Sequence, residues 1–152
     1  MFPEGPERAE LRPALGWAAD LHEVGLSIAH NAYHKHTAYV LENADMPGFS
    51  RADQQLLALL ALGHQGKLTK LEPLIRTRPQ WKAILSLRLA VLLFRRRGEI
   101  EPLPLTASVR DNSIVVRVNR EWLAQHPLSD FTLRAEEAEW NKVGFSFELL
   151  EF

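Results

Sequence analysis

The sequence predicts an α+β fold, mainly helical at first and with a small mixed part at the end. Three observations carry this reading. Apolar residues recur at helical spacing through the first hundred positions. The stretch AILSLRLAVLLF, residues 83–94, is apolar nearly all round, the mark of a central buried helix. Beyond Glu101-Pro-Leu-Pro the period shortens to the two-residue alternation of strands. The expected division is therefore a helical domain at 1–100 and a small α+β domain at 101–152.

Each element has its own local signal. Met1–Arg12 is polar, carries Pro3 and Pro6, and reads as a lead-in. Pro13 suits the first turn of a helix, where its missing N–H is no loss; Gly25 is the expected stop. A second helix is expected over Tyr33–Glu42, ended by the turn Asn43-Ala-Asp-Met-Pro-Gly. Ser50 and Asp53 have capping-box spacing and open a third helix, Arg51–Gly63. Lys67–Arg78 reads as an irregular or short-helical connection. Pro79 starts a fourth helix reaching about Arg97, with Gly98 as its end and Arg88 paired or reaching an edge. Leu105–Arg110 and Ser113–Val118 flank Asp111-Asn112 as a hairpin. One helical turn is expected at Glu121–Gln125, a strand around Phe131 and Leu133, a short helix over Ala135–Lys142, and a last strand within Val143–Phe152. The four tryptophans, Trp17, Trp81, Trp122 and Trp140, are expected in the core.

Composition narrows the function. There is no cysteine among the 152 residues, so disulfides and thiolate metal sites are excluded. Met1–Asp20 lacks the pattern of a signal peptide, and the apolar run at 83–94 is too short to span a bilayer, so a cytoplasmic location is expected. The net charge of −1 hides a strong asymmetry. Residues 64–98 carry nine basic side chains and one acidic, Glu72, whereas the flanking segments are acidic. Such a positive middle suits an anionic ligand. Nucleic acid is disfavoured by the overall acidity and the lack of a recognition motif.

Four of the six histidines, His22, His30, His34 and His36, fall between Leu21 and Leu41. Imidazoles from successive helices, with a carboxylate, are how helical metal-dependent phosphohydrolases of the HD type gather their ligands. His22-Glu23, then His34 or His36, then His64 follow that order. The set is incomplete. Such enzymes have Asp after the first His and another Asp in a late apolar helix; this chain has Glu23 and Val91, and no Asp between Asp53 and Asp111. No metal site is therefore expected. Glycine-rich phosphate loops, G-x-S-x-G and a cysteine nucleophile are also absent, so no catalytic residue is assigned.

The strings LHEVGLSIAHNAYHKHTAYVLENADMPGFSRADQQLLALLALGHQGKL and ILSLRLAVLLFRRR closely resemble the C-terminal helical region of the Ppx/GppA exopolyphosphatases, including the valine in place of the HD aspartate. The hairpin, the Glu-Trp at Trp140 and the last strand resemble that family's final small domain. The likeness runs from about Leu15 to Phe152. It implies an HD-like helical domain without its metal, then a small α+β domain. It also implies that hydrolysis resides in N-terminal actin-like domains, which hold the phosphate loops and the magnesium. No cofactor is expected in the chain itself. Members use this region to bind polyphosphate and to form dimers; some act on guanosine pentaphosphate (pppGpp), so the substrate stays open.

The expected ligand is thus polyphosphate or another phosphate polyanion, and the expected partners are a second copy and the actin-like domains. The candidate contacts are His34, Lys35, His36, His64, Lys67, Lys70, Arg76, Arg78 and Lys82. His34, Lys35 and His36 cannot share one helix face, so one imidazole is expected to be buried and Lys35 free. The competing readings are an independent HD-type phosphohydrolase and a dimerisation module without a ligand.

Overall fold

The first helix begins well before Pro13. In the computed structural model, which describes residues 6–152 and side chains from Leu11 onward, α1 spans Pro6–Leu21 with Pro13 inside it. The expected lead-in is therefore partly helix; its first five residues lie outside the described ones. Leu11, Ala14 and Ala18 are buried at helical spacing, so the apolar stripe already runs before the proline. Burial of that stripe outweighs the single backbone hydrogen bond that Pro13 cannot make.

A short 3-10 turn, Val24–Ser27, leads to α2, Tyr33–Asn43. Gly25 does not cap α1. It is buried where backbones nearly touch: a Cβ there would lie 2.2 Å from the Tyr33 carbonyl oxygen and 2.4 Å from the Thr37 nitrogen. Thr37 ties this crossing together. Its hydroxyl accepts from the Gly25 N–H and donates to the His22 carbonyl, both at 2.8 Å.

Helix α3, Arg51–Gly63, opens with the expected capping box: Asp53 N–H donates to Ser50 Oγ at 3.0 Å and Ser50 N–H to Asp53 Oδ2 at 2.8 Å. Leu57, Ala58, Leu60 and Ala61 are its buried face. A 3-10 turn at Thr69–Leu71 interrupts the connection to α4, Arg78–Leu93. Ile84, Leu85, Leu87 and Leu89 are all buried, as an all-round apolar helix requires. A final 3-10 turn, Phe94–Arg96, follows, and Arg97, not Gly98, takes the left-handed conformation at φ 54°.

The remaining chain forms β1 (Leu105–Arg110), β2 (Ser113–Val118), α5 (Arg120–Gln125), α6 (Pro127–Lys142) and β3 (Ser146–Glu151). The sheet order is β1-β2-β3. β1 and β2 are antiparallel, with Leu105 opposite Val118; β2 and β3 are parallel, with Ile114 opposite Phe147. The parallel pair needs a crossover, which α5 and α6 supply. Ile114, Val116, Val118 and Phe147 are buried, as are Leu133 and Trp140 of α6.

The strand expected at Phe131 and Leu133 is not formed; both lie in α6. Pro127 starts this helix, and Leu133, Glu136 and Trp140 share its buried face at helical spacing, while Phe131 is 73% exposed. Of the tryptophans only Trp140 is fully buried; its indole N–H donates to the buried Glu136 carboxylate at 2.9 Å. Trp17 is 42% exposed and meets Phe49 edge-on. Trp81 and Trp122 are half-buried.

The chain is mainly helical with a three-stranded sheet, an α+β protein. Two compact units are present, one ending at Leu89 and the other covering Ala90–Phe152, so the division falls within α4.

Candidate functional site

The helical unit brings together side chains that lie far apart in sequence. His22 follows α1, Tyr33 and His34 begin α2, His64 follows α3, and Arg88 projects from α4. The His22 and His64 rings meet edge-on with centroids 5.1 Å apart, and the His34 and His64 centroids are 6.3 Å apart. His36 is half-buried and Lys35 exposed, so His34 is the imidazole that α2 turns inward.

The hydrogen bonds fix the state of His64. Its Nδ1 faces the Ala61 carbonyl oxygen, which can only accept, so Nδ1 carries the proton. Nε2 then accepts from the Tyr33 hydroxyl at 3.1 Å. Burial pushes His64 down to about pKa 4, against the opposing effect of the Ala61 bond; His22, His34 and Arg88 depress it further. His34 is likewise lowered to about 4, first by burial and then by Lys70, Lys35, Arg88 and His36. Both rings are therefore neutral at pH 7. His34 Nδ1 is buried with no hydrogen-bond partner.

Arg88 is buried and its partners explain why. One guanidinium nitrogen, Nη1, donates to the Gly63 carbonyl at 2.9 Å and to the Gly66 carbonyl at 3.1 Å. It thereby satisfies orphan acceptors at the C-terminal end of α3, where a cation is also favoured by the helix dipole. Gly63 is there because a Cβ would lie 2.3 Å from Ile84 Cδ1. At Gly66, φ is 77°, and a Cβ would lie 3.2 Å from Lys70 Nζ and 3.3 Å from His34 Nε2. The Lys70 ammonium donates to the Gln65 carbonyl at 2.7 Å. His34, His64, Lys70 and Arg88 thus surround the turn after α3.

The other candidates lie around the same connection. Lys67, Arg76 and Arg78 are exposed and Lys82 is half-buried; none of the four forms an ion pair among the described residues. The residues that sequence reasoning missed are the glycines. Gly25 reads only as a helix stop and Gly66 carries no signal of its own, so nothing in the sequence marks the close approaches they permit.

Among the described residues no group of three or more His, Asp or Glu side chains is placed to hold a metal ion. Both nitrogens of His64 are engaged, and His22 Nδ1 faces the Ala19 carbonyl at 2.6 Å. Glu23 Oε1 lies 4.0 Å from His22 Nε2. Val91 is a half-buried residue in the last turn of α4 and offers no ligand.

The sequence pattern of the family described as "Ppx/GppA phosphatase, domain III" matches residues 4–137. The chain belongs to the Ppx/GppA phosphatase family. Relatives named guanosine-5'-triphosphate,3'-diphosphate pyrophosphatase agree with this. The one from Pseudoalteromonas translucida is 34% identical over 137 residues, covering 88% of this chain and 27% of its own length. The one from Aeromonas hydrophila is 34% identical over 145 residues, covering 92% and 29%. A third, from Vibrio atlanticus, is 32% identical over 134 residues. The chain thus spans little more than a quarter of the length of these Ppx/GppA relatives and corresponds to the family's C-terminal region.

Proposed function

We propose that this chain is a non-catalytic, phosphate-binding part of a Ppx/GppA phosphatase. In that reading it holds a phosphate chain, either polyphosphate or the phosphates of a guanosine nucleotide. Separate actin-like domains, with magnesium, perform the hydrolysis in the cytoplasm. The chain also contributes to pairing two copies. The observation that carries the reading is the cation track between α3 and α4. Lys67, Arg76, Arg78 and Lys82 have no carboxylate partner among the described residues, and Lys70 stands beside His34. A polyanion with regularly spaced charges needs such a track, and arginine adds two-pronged contacts to phosphate oxygens. His34 and His64, being neutral at pH 7, support the turn that presents it and add little charge. The independent HD-type hydrolase gains no support from the histidine cluster, where both nitrogens of His64 and Nδ1 of His22 are turned to carbonyls and to Tyr33.

The test is the salt dependence of polyphosphate binding. Each cation that meets the polymer releases counterions. With four cations engaged, raising salt from about 50 to 200 mM should weaken binding roughly 50-fold, taking about 0.7 counterions per contact. Salt-independent binding, or none at low salt, would remove the reading. The chain alone should release phosphate from polyphosphate or guanosine pentaphosphate far more slowly than about 1 s⁻¹. Sedimentation should show a dimer.

A further inference from the structure

Within the unit covering Ala90–Phe152, the sheet has a free edge. β1 is an outer strand, paired with β2 alone and without a bulge from Leu105 to Arg110. The Asn119 N–H donates to the Pro104 carbonyl at 2.8 Å, one step before that ladder. In an antiparallel pair, bonded and non-bonded positions alternate. Thr106, Ser108 and Arg110 therefore exchange bonds with β2, and Leu105, Ala107 and Val109 turn their N–H and C=O groups outward. Among the described residues, no loop, cap or side chain bonds to these three. Their side chains lie on the core face, opposite Val118, Val116 and Ile114. Helix α6 packs over β3, and Ala107 and Val109 are left half-buried.

An exposed edge is a template for another strand, and proteins that keep one free guard it with lysine, proline, inward charge or a bulge. β1, Leu-Thr-Ala-Ser-Val-Arg, has none of these before Arg110 at its end. β3, the opposite edge, carries Glu148 and Glu151, and Glu151 is bridged by Arg120 and Arg134. The β1 sequence is also complementary to itself. When two copies run antiparallel about a two-fold axis at Ala107, each outward residue meets an outward residue. Leu105 faces Val109 of the second copy, and Ala107 faces Ala107. Small side chains then sit on the axis, and the half-buried apolar strip continues across it. On the other face Thr106 meets Ser108, a hydroxyl pair favoured across strands. The one charge, Arg110, falls opposite Pro104, so no like charges oppose each other. This match is a property of two identical strands, so a second copy is the occupant that fits the edge.

We infer that β1 pairs antiparallel with β1 of a second copy, joining two three-stranded sheets into one continuous sheet through about six new backbone hydrogen bonds. The inference rests on the proposed pairing of two copies and gives that pairing a location. Sedimentation of the intact chain tests it. Ala107→Pro removes an outward N–H that β2 does not use, so the monomer keeps its ladder. Val109→Lys places a charge at the edge. Each should weaken dimerisation about tenfold or more while circular dichroism stays native. Val109→Lys and a cross-link decide if the proline variant does not fold. For the cross-link, the chain has no native cysteine, and in Ala107→Cys the two axial Cα atoms would lie about 5.5 Å apart, within disulfide reach. Mild oxidation should give a covalent dimer from Ala107→Cys and none from Arg117→Cys, which lies on β2. A dimer that a folded edge variant does not weaken, or that Ala107→Cys does not cross-link, would overturn the edge inference and leave the pairing reading standing. A wild type that stays monomeric at every concentration would overturn both.

Discussion

At the scale of single residues, His34 and His64 are imidazoles held neutral by burial, each lowered from 6.5 to about 4. The unfolded chain takes up these protons first, so acid favours unfolding. Stability from this source is complete above about pH 6.5 and is lost as pH falls towards 4. His64 contributes on the order of 3 kcal/mol to that loss, and His34, whose charge solvent screens more, contributes less. Urea unfolding at pH 7 and at about pH 4.5 should show the drop, and His64→Gln should flatten it; an unchanged midpoint in the wild type would contradict the burial argument. Gly25→Ala is the sharper packing test. The added Cβ meets backbone, not a movable side chain, so a loss of about 1–3 kcal/mol or more in denaturant unfolding is expected. The histidine clustering was legible from sequence, and the inward turn of one α2 imidazole followed from its periodicity. The glycine crossings were not legible, because they depend on which backbones meet.

At the scale of elements, the strongest local signals were the most readable. The Ser50 capping box fixed the start of α3, and Asp111-Asn112 between alternating runs fixed the hairpin, whose turn uses Asp111 at φ 51°. Errors arose where two signals competed. Pro13 looked like a helix start until Leu11 proved to belong to the same buried stripe. Phe131 and Leu133 alternate like a strand, yet Leu133, Glu136 and Trp140 form a helical face that wins by burying the largest side chain. Helix α4 carries the most apolar segment. Leu89, buried in it, should lose about 2–5 kcal/mol on substitution by alanine. A change under about 1 kcal/mol in chemical denaturation would mean that the cavity is filled by relaxation and that the core lies elsewhere.

At the scale of the whole molecule, the sequence revealed a basic middle between acidic flanks, and the structure gives that charge a location. Arg88 is turned inward onto two carbonyls, whereas Lys67, Arg76 and Arg78 are exposed. Counting charges could not make that distinction, since it depends on which α4 residue faces the end of α3. Among the described residues, no helix is long and apolar enough to cross a membrane. The chain belongs to the Ppx/GppA phosphatase family and spans little more than a quarter of its relatives' length. The most direct test is calorimetric titration of long-chain polyphosphate into the wild type and into the Lys67, Lys70, Arg76, Arg78 quadruple alanine variant. The expected result is binding by the wild type at low salt and a loss of about tenfold or more in the variant, with native circular dichroism retained. Equal binding by the two proteins would contradict the assignment of the phosphate chain to this track.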